Sequence, residues 1–577
     1  MGSHPVKLPL SYRLGPLGFD PEANTRPVNA TMINPDSDDT LNYAFAKAAE
    51  RYADKPFLMV PPRAERDYDE NGKTLTYAET AADVAALSWR YAEAGYGHGH
   101  RIALLLDNRL EHVTHRMAMN AVGVSVVPIN PEYRAQEIAY LVEHSDSILI
   151  VVISARLAQV KAGLDAAGID LPIWIIDLTP LPALPVATTP VPLADVDITA
   201  SSESSLLYTS GTTGRPKGCM LSHRYELESG HWYANRGGLM TLSEGVERIY
   251  NPLPLYHINA GCVSLFGAML TGNCQVQPDR FHPATWWQEL TECGATVMHY
   301  LGIVAPLLLN QLESPWEKRH SVRLGLGAGI EPDLHEVFED RFGFPLVELW
   351  GMTEMVRILA VNEEPRHRGT RAFGRPVVGL EARVVDDNDA DVAIGEVGEL
   401  VVRHSEQTPR AGAFSGYLKD PEATETGWRG GWWHSGDVVR QSPDGMLHFV
   451  DRKKNIIRRS GENIAAAEIE AWLQTHPAVA GVAVTAVPDE LRDEEVMACI
   501  VTNEGIGATG ELAETLFAFC LENLAYYKAP GWLLFMAELP TTGTQKIQKH
   551  RLFEPGTDPR TQAGINDFRD RKRRQTV

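Results

Sequence analysis

Two long stretches of the sequence alternate apolar segments of strand length with amphipathic segments of helix length, and this alternation limits the possible folds most strongly. The strand-like segments are 101–106, 124–129, 148–153, 248–252, 273–276, 296–299, 322–326 and 346–348. The helix-like segments are 111–122, 131–144, 261–270, 283–293, 304–312 and 332–341. Apolar strands that alternate with amphipathic helices are typical of parallel βαβ units. The pattern therefore predicts an α/β fold with two sheets, each covered by helices.

The rest of the chain predicts two smaller units. Residues 379–403 contain short strand-like segments joined by glycine turns, as in a small β-subdomain. After Val450, helix patterns at 465–474 and 510–522 and strand patterns at 482–487 and 496–501 predict a compact α+β unit. We place a boundary near Asp451, which gives a large N-terminal domain (1–450) and a small C-terminal domain (451–577). Residues 1–40 are expected to form an irregular arm.

Composition and charge argue against several classes of protein. The 577 residues are 44% hydrophobic and 22% charged, as in ordinary globular proteins. A net charge of -22 argues against nucleic-acid binding. No apolar run approaches the ~18–20 residues of a membrane span, and the N-terminus lacks the pattern of a signal peptide. The six cysteines are scattered without a C-x-x-C pair, which disfavours a disulfide framework or a zinc site and favours a reducing cytoplasm.

Residues 208–218 (YTSGTTGRPKG) form the most distinctive local motif. They contain three glycines, four serine or threonine hydroxyls and two cations. Glycine lets backbone amides turn toward a ligand, and hydroxyls and cations suit phosphate oxygens. We expect this loop between a strand at 204–207 and a helix at 222–233, where phosphates commonly bind. Lys217 is followed by Gly218, so the motif is not a Walker A loop; a flexible surface turn is the alternative interpretation.

Three further motifs contain residues suited to nucleotide chemistry. Residues 350–354 (WGMTE) follow a predicted strand, at the end where open α/β sheets bind ligands. Residues 325–329 (GLGAG) end another predicted strand, and their small side chains would let backbone approach a base, although a tight turn explains them equally well. Residues 431–437 (GWWHSGD) end in Asp437, which could accept hydrogen bonds from ribose hydroxyls.

Taken in order, these motifs resemble the adenylate-forming superfamily, which includes acyl- and aryl-CoA synthetases, nonribosomal peptide adenylation domains and luciferases. The matches extend from about Thr76 to Leu552. This chain has Trp350 where the superfamily usually has Tyr, Ser435 for the usual Thr, and Gln545 for the usual Gly. Segments 395–400 and 416–422 also match, and we assign them a mainly structural role.

The resemblance implies a site for ATP and Mg²⁺. Thr353 would contact phosphate, Glu354 would hold Mg²⁺ and Asp437 would bind the ribose. Lys546 falls at the position of the catalytic lysine, with Lys549 as the alternative. The expected ATP-binding residues are Thr209, Ser210, Gly211, Thr212, Thr213, Gly214, Lys217, Gly327, Ala328, Trp350, Gly351, Thr353, Asp437 and Arg452.

The resemblance also implies a mobile C-terminal domain that contributes to coenzyme A binding. Lys454 falls at the hinge position. The expected CoA-binding residues are Arg459, Ser460, Gly461 and Glu462, and five cations between residues 452 and 459 could counter CoA phosphates. A solvated basic face is the alternative, and we keep it for Lys453 and Arg458.

The acid is expected to bind beside residues 253–261 (LPLYHINAG), which resemble the segment between carboxylate and nucleotide. His257 would lie at the mouth of the acyl pocket, where it gates or positions the acid and is a candidate for proton transfer. The expected acyl-pocket residues are Trp232, Tyr233, His257, Asn259, Gly302 and Ile303. Packing within the helix core explains the two aromatic residues equally well.

The resemblance therefore implies an ATP-dependent acid–CoA ligase that uses ATP, Mg²⁺ and coenzyme A and acts on a small carboxylic acid. Residues 545–549 and 458–463 loosely resemble the carnitine/crotonobetaine-CoA ligase-like branch, which does not fix the acid. An enzyme that loads a separate carrier protein and a nucleotide-binding pseudoenzyme are the alternatives. The oligomeric state stays open, with a homodimer as one expectation.

Overall fold

The computed structural model describes residues 32–192, 197–209, 216–459, 462–489, 492–524, 526–541, 547–554 and 556–572. The predicted fold class is confirmed: two sheets flanked by helices are followed by a smaller β-subdomain and a C-terminal α+β unit. The prediction of a boundary near Asp451 stays a prediction.

The first part of the chain alternates strands and helices, as the sequence pattern predicts. Its elements are α1 (Leu41–Arg51), β1 (Pro56–Val60), β2 (Lys73–Thr76), α2 (Tyr77–Glu93), β3 (Arg101–Leu105), α3 (Leu110–Ala121), β4 (Ser125–Pro128), α4 (Ala135–Ser145), β5 (Ile150–Val152), α5 (Leu157–Ala167), β6 (Ile173–Ile175), β7 (Glu203–Thr209), β8 (Lys217–Ser222) and α6 (His223–Ala234).

The second part repeats the alternation. Its elements are β9 (Arg248–Tyr250), a π-helical turn (Asn259–Ser264), α7 (Leu265–Thr271), β10 (Cys274–Val276), α8 (Trp286–Glu292), β11 (Val297–Leu301), α9 (Val304–Leu309), β12 (Leu324–Ala328), α10 (Pro332–Phe342), β13 (Leu346–Met352) and β14 (Met355–Ala360).

The last part contains the β-subdomain and the C-terminal unit. Its elements are β15 (Ala372–Gly374), β16 (Glu381–Val385), β17 (Val397–Arg403), β18 (Gly416–Tyr417), α11 (Pro421–Gly427), β19 (Trp433–Gln441), β20 (Leu447–Arg452), β21 (Ile456–Arg459), β22 (Glu462–Ala465), α12 (Ala466–Gln474), β23 (Val479–Asp489), β24 (Asp493–Thr502), α13 (Gly510–Asn523), β25 (Trp532–Phe535) and β26 (Asn566–Asp567).

The two large sheets are parallel in their centres, with antiparallel strands at both edges of the eight-stranded sheet and at one edge of the seven-stranded sheet. The seven-stranded sheet has the order β18-β8-β7-β4-β3-β5-β6, and its four parallel pairs lie between β7 and β6. The eight-stranded sheet has the order β14-β13-β12-β11-β9-β10-β1-β2, with antiparallel β14 and β2 at its edges. The β-subdomain is an antiparallel sheet of order β15-β20-β19-β17-β16.

Local signals explain where the helices begin. Thr76 caps α2: its hydroxyl accepts from the backbone N–H of Glu79, and the Glu79 carboxylate accepts from the backbone N–H of Thr76, which is the capping box that a T-x-x-E sequence predicts. Pro332 begins α10, where its missing N–H costs no helical bond. Within the described residues, no helix is both long enough and apolar enough to cross a membrane.

The two large sheets and the β-subdomain share one large buried core. The C-terminal unit has a core of its own, which includes Ile457, Leu473, Val484, Phe517 and Leu533. The six cysteines are all free and all lie in the interior. Burial raises the pKa of each thiol above its ordinary value, so the thiols are held in the neutral form.

Helices α6 and α7 approach each other closely at Gly230. A Cβ placed on Gly230 would lie 2.5 Å from the backbone carbon of Phe266 and 2.7 Å from the amide nitrogen of Gly267. Backbone atoms cannot move aside as a flexible side chain can, so only glycine fits here. This contact sets the depth at which α6, the helix after the phosphate loop, lies on the body of the protein.

We expect Gly230→Ala to destabilise the protein. Alanine in place of glycine normally stabilises a helix interior by about 1 kcal/mol, but the forced separation of α6 and α7 should cost ~1–3 kcal/mol and outweigh that gain. Thermal unfolding followed by circular dichroism should show a lower midpoint. Gly481→Ala is the matched control, since its Cβ would meet only Leu539 at an ordinary 3.4 Å; equal midpoints for the two variants would contradict this account.

Candidate functional site

The phosphate motif connects two antiparallel strands, which corrects the predicted strand–loop–helix arrangement. Thr209 on β7 pairs with Lys217 on β8, and α6 begins only at His223. The prediction missed β8 because its residues were counted with the motif and with the helix that follows. Ser210, Gly211, Thr212, Thr213 and Gly214 lie outside the described residues.

Lys217 stands at the end of this hairpin and faces the segment after β18. Its ammonium lies 3.6 Å from the Asp420 carboxylate and 4.8 Å from the centre of the Tyr417 ring. Both contacts hold the Lys217 cation against β18 and the segment that follows it. Thr209 is half-buried, and its hydroxyl lies 3.9 Å from the Cys219 sulfur.

Glu354 is a buried carboxylate beside Tyr417, which Lys217 also contacts. It is 7% exposed, and its Oε1 accepts a 2.6 Å hydrogen bond from the Tyr417 hydroxyl. Burial raises the pKa of Glu354, and the bond from Tyr417 opposes that rise. The backbone carbonyl of Thr353 accepts from the Tyr225 hydroxyl at 2.7 Å, which fixes the motif against α6. The sequence analysis gave Tyr417 only a structural role, and its contact with Glu354 shows that it belongs to the site.

The Glu354 carboxylate fits the expected Mg²⁺. Within the described ranges no group of three or more His, Cys, Asp or Glu side chains could hold a metal. A site with one protein carboxylate suits Mg²⁺, which usually takes one or two carboxylates and completes its coordination with water and substrate phosphates.

Trp350, Asp437 and Arg452 are connected by one hydrogen bond and one ion pair next to Glu354. The Trp350 indole N–H donates to Asp437 Oδ2 at 2.8 Å, and Arg452 Nε lies 2.8 Å from Asp437 Oδ1. Asp437 is 2% exposed and Trp350 is 6% exposed. Asp437 and Arg452 also face each other across β19 and β20. The structure therefore brings together three of the residues predicted to bind the base and the ribose.

The glycine segment at the end of β12 is fixed by a carboxylate that the sequence analysis did not identify. Glu348 on β13 accepts from the Gly329 N–H at 2.8 Å and from the Ile330 N–H at 3.4 Å, and the Tyr300 hydroxyl also donates to it. Gly329 has φ +85°, and its carbonyl oxygen would lie 1.9 Å from a Cβ on Gly302. Glu348 thus holds Gly327, Ala328 and Gly329 against Gly302.

Trp232 lies near the nucleotide motif, and its role in the acyl pocket stays a prediction. Its indole N–H donates to the Ile358 carbonyl at 2.9 Å, and Ile358 packs so close to Gly351 that a Cβ there would lie 2.8 Å away. The guanidinium groups of Arg236 and Arg357 lie 5.2 and 5.5 Å from the centre of a Trp232 ring. Neither arginine was identified from the sequence.

Tyr233 does not line the predicted pocket. It is 1% exposed, its hydroxyl is 3.0 Å from His299 Nε2, and its ring packs where a Cβ on Gly267 would be 2.4 Å away. Successive residues of a helix point about 100° apart, so Tyr233 faces α7 while Trp232 faces β14. The alternative of helix-core packing is the correct one for Tyr233.

The other acyl-side residues lie around the π-helical turn and the end of β11. His257 is half-buried with its ring 4.5 Å from that of Tyr256. Asn259 begins the π-helical turn and accepts from Asn251 Nδ2 at 2.9 Å. Ile303 is 45% exposed. Short π-helical segments are frequent at functional sites, which suits the predicted role of this turn.

The structure places Arg459 inside the C-terminal unit, away from any CoA-binding surface. It is 3% exposed, and its Nε donates to Glu495 Oε2 at 2.8 Å. Lys572 donates to the other oxygen of Glu495, and burial lowers the pKa of Lys572 to about 8. The prediction that Arg459 contacts CoA is corrected, because the Glu495 carboxylate that pairs with Arg459 lies in the interior. Ser460, Gly461 and Lys546 lie outside the described residues.

Ion pairs join the C-terminal unit to the rest of the protein. Lys453 lies 2.9 Å from Glu399, and Arg551 lies 3.0 Å from Glu137 on α4. The Arg551 and Glu137 side chains are 50% and 28% exposed. An exposed pair such as Arg551–Glu137 contributes only ~0–1 kcal/mol. Residues 453–455 form a short 3₁₀ turn between β20 and β21 at the predicted hinge.

The family model described as "AMP-binding enzyme" matches residues 45–418, and "AMP-binding enzyme C-terminal domain" matches residues 468–546. The chain belongs to the AMP-binding enzyme family. The predicted superfamily and the prediction of an enzyme of the AMP-forming acyl-CoA synthetase class are thereby confirmed. The first match covers the site residues from Lys217 to Glu354.

Curated relatives of this AMP-binding enzyme carry the names of CoA ligases. A sulfoacetate–CoA ligase of Cupriavidus necator is 32% identical over 525 residues, which cover 90% of this chain and 98% of that protein. A probable CoA ligase of Humulus lupulus is 29% identical over 89% of this chain and 96% of that protein. A crotonobetaine/carnitine–CoA ligase of Salmonella typhimurium is 28% identical over 83% of this chain and 93% of that protein.

Solved structures share the fold of this AMP-binding enzyme. The o-succinylbenzoate CoA synthetase of Bacillus subtilis in complex with its acyl-adenylate has a TM-score of 0.75 at 24% identity, over 90% of this chain and 98% of that chain. A complex of the same synthetase with ATP and a magnesium ion has a TM-score of 0.73 at 25% identity, over 88% of this chain and 98% of that chain. The expected ATP, Mg²⁺ and CoA agree with the ligands and activities in these names.

We expect Glu348→Gln to change how the stability of the protein depends on pH. Burial raises the pKa of Glu348 to about 7, whereas an exposed glutamate titrates near about 4.3. Between these values the folded protein binds more protons than the unfolded chain, so Glu348 makes stability fall as pH rises. The amide side chain of the variant cannot titrate, so its melting temperature relative to the wild type should rise from about pH 5 to about pH 8.

The control for this variant is Glu336→Gln on α10, whose carboxylate is 65% exposed. Its melting temperature relative to the wild type should stay constant with pH. An identical pH trend in the two variants would show that the burial of Glu348 does not control the effect.

Proposed function

We propose that this AMP-binding enzyme is an ATP-dependent acid–CoA ligase of the cytoplasm. The observation that supports this most directly is the assembly of Glu354, Asp437 and Trp350 where the end of β13 meets the middle of β19, together with Lys217 at the phosphate loop. These residues offer a carboxylate for a metal, a carboxylate for ribose hydroxyls, an aromatic ring for a base and a cation for phosphate. The ligase names of the curated relatives support the same conclusion.

In the proposed first half-reaction, a carboxylate oxygen of the acid attacks the α-phosphorus of ATP. The P–O bond to pyrophosphate breaks, and acyl-AMP and pyrophosphate are formed. Mg²⁺ held by Glu354 would neutralise phosphate charge. The protein's part is to position the reactants and to stabilise charge, and Lys217 and Lys546 are the cations proposed for this role. No protein nucleophile is required.

In the proposed second half-reaction, the thiol sulfur of CoA attacks the acyl carbon, the bond to the AMP oxygen breaks, and the thiol proton is released. Acyl-CoA and AMP are the products. His257, which lies beside Tyr256 and the π-helical turn, is proposed to gate or orient the acid. A protein thiol on a separate carrier could replace CoA as the acceptor.

The proposal does not specify which carboxylic acid is the substrate. The surroundings of Trp232 suggest which acids to test. Two guanidinium groups flank its ring, and Glu228 pairs with one of them at 3.1 Å. Guanidinium groups bind anionic groups such as carboxylates, so acids with and without a second negative group are compared. The first test is therefore pyrophosphate release with short-chain, medium-chain, aryl, quaternary-ammonium and sulfonated acids, followed by thioester formation with free CoA. Acid-independent or absent release would reject the function, and release without a CoA thioester would favour a carrier protein.

We expect Lys546→Ala to reduce adenylation by ~10²–10³-fold, because it removes a cation that stabilises charge moving between the carboxylate and the α-phosphate. Synthetic acyl-AMP should still react with CoA in this variant. Single-turnover assays of each half-reaction measure the two effects separately. Lys549→Ala is the matched control; if it loses adenylation and Lys546→Ala does not, the catalytic lysine is Lys549.

We expect Lys454→Pro to block thioester formation while acyl-AMP accumulates. The small unit is proposed to rotate at the turn 453–455 between the half-reactions, and proline fixes φ near about −65° and removes the amide. Lys454→Ala leaves the backbone free and should keep most thioester-forming activity. Equal loss in both variants would indicate a side-chain role, and normal activity of the proline variant would place the pivot elsewhere.

A further inference from the structure

The presence of tryptophan at position 350 brings a hydrogen-bond donor to the ribose carboxylate. The Trp350 indole N–H donates to Asp437 Oδ2 at 2.8 Å, across 87 residues of sequence. Trp350 lies on the eight-stranded sheet and Asp437 on the sheet of the β-subdomain. This bond therefore connects the part of the protein proposed to contact the base with the part proposed to contact the ribose.

The Asp437 carboxylate is oriented from more than one side. Arg452 Nε lies 2.8 Å from Oδ1, and the backbone N–H of Asp437 donates to the Ser435 hydroxyl at 3.1 Å. The indole donates to one carboxylate oxygen and the guanidinium lies beside the other, so groups from two different strands orient the carboxylate.

The hydrogen bond from the Trp350 indole to Asp437 matters for the orientation of the carboxylate because both side chains are buried. Trp350 and Asp437 are 6% and 2% exposed, so water contributes little to the orientation of the carboxylate. Hydrogen bonds to an ionised acceptor are shorter and stronger than neutral ones. The N–H of the Trp350 indole can only donate a hydrogen bond. The indole therefore cannot present a hydrogen-bond acceptor to Asp437.

We propose that Trp350 is a positioning residue that aims Asp437 at the ribose, so that the base and the ribose hydroxyls are recognised as a single unit. The inference rests on the proposed use of an adenine nucleotide. The ring of Trp350 supplies the surface for the base. Its N–H fixes the orientation of the Asp437 carboxylate, which accepts hydrogen bonds from the ribose hydroxyls. The preference for ribose over dideoxyribose therefore depends on the indole nitrogen of Trp350, the same residue that is proposed to bind the base.

A role in packing alone would have a different consequence. Trp350 also packs against Phe373, with ring centres 6.3 Å apart. If Trp350 acted only through its bulk, loss of the N–H with retention of the ring would leave nucleotide recognition unchanged. The two roles are separated by an isosteric replacement.

The experiment replaces Trp350 in the full chain by 3-benzothienylalanine, in which sulfur takes the place of the N–H. Calorimetry then measures the affinities for AMP and for 2′,3′-dideoxyAMP. Because a hydrogen bond to a charged group carries a substantial net contribution, we expect AMP affinity to fall about 10-fold, with little change for the dideoxy nucleotide. The preference for AMP should therefore fall by about the same factor.

Phe373→Leu is the matched control, since it disturbs the packing of Trp350 and leaves its N–H in place. Its AMP preference should equal that of the wild type. An unchanged preference in the benzothienyl variant would overturn the positioning role. Failure of AMP to bind the wild-type protein would instead reject the proposed function, so the two failures are distinguishable, and neither measurement requires the acid to be known.

Discussion

The Asp437 carboxylate is the group on which the arrangement of the site depends. Its two oxygens meet an indole from the eight-stranded sheet and a guanidinium from the strand that leads into the C-terminal unit. A carboxylate this deeply buried must have its charge compensated, so the eight-stranded sheet and the β-subdomain are held in a fixed relation there. Glu354 and Tyr417 extend the same arrangement toward Lys217. The site is thus built from residues on several sheets, and no single motif defines it.

The fold could be predicted because its main signal is periodic and repeated. Apolar segments such as Ile150–Val152 and Val297–Leu301 are buried on both faces, as strands in the middle of parallel sheets must be. The antiparallel strands β8 and β14 were missed. Each of these strands directly follows a functional motif in the sequence. The sequence analysis therefore assigns the residues of the strand to that motif or to the next element. Their pairing is decided by neighbouring strands and not by their own sequence.

The site could be predicted where motifs carry the chemistry, and not where pairing is long-range. Glu354 and Asp437 were identified from short motifs, and the structure places them near each other. Glu348 and Arg459 were missed or misplaced because their environment depends on distant partners, Gly329 and Glu495, which no local pattern shows. An exposed loop and a buried ion pair can have the same local sequence, so the burial of Arg459 appears only once β24 is placed beside it.

The burial of all six cysteines has a consequence for an enzyme of this proposed class. Such an enzyme brings a free thiol and an activated acyl group together in one cavity, and an accessible protein thiolate would compete for both. Here every thiol lies in the interior and is kept protonated by its surroundings. A protonated, inaccessible sulfur is a poor nucleophile. The protein is therefore protected against acylating itself and against mixed disulfides with its own cosubstrate.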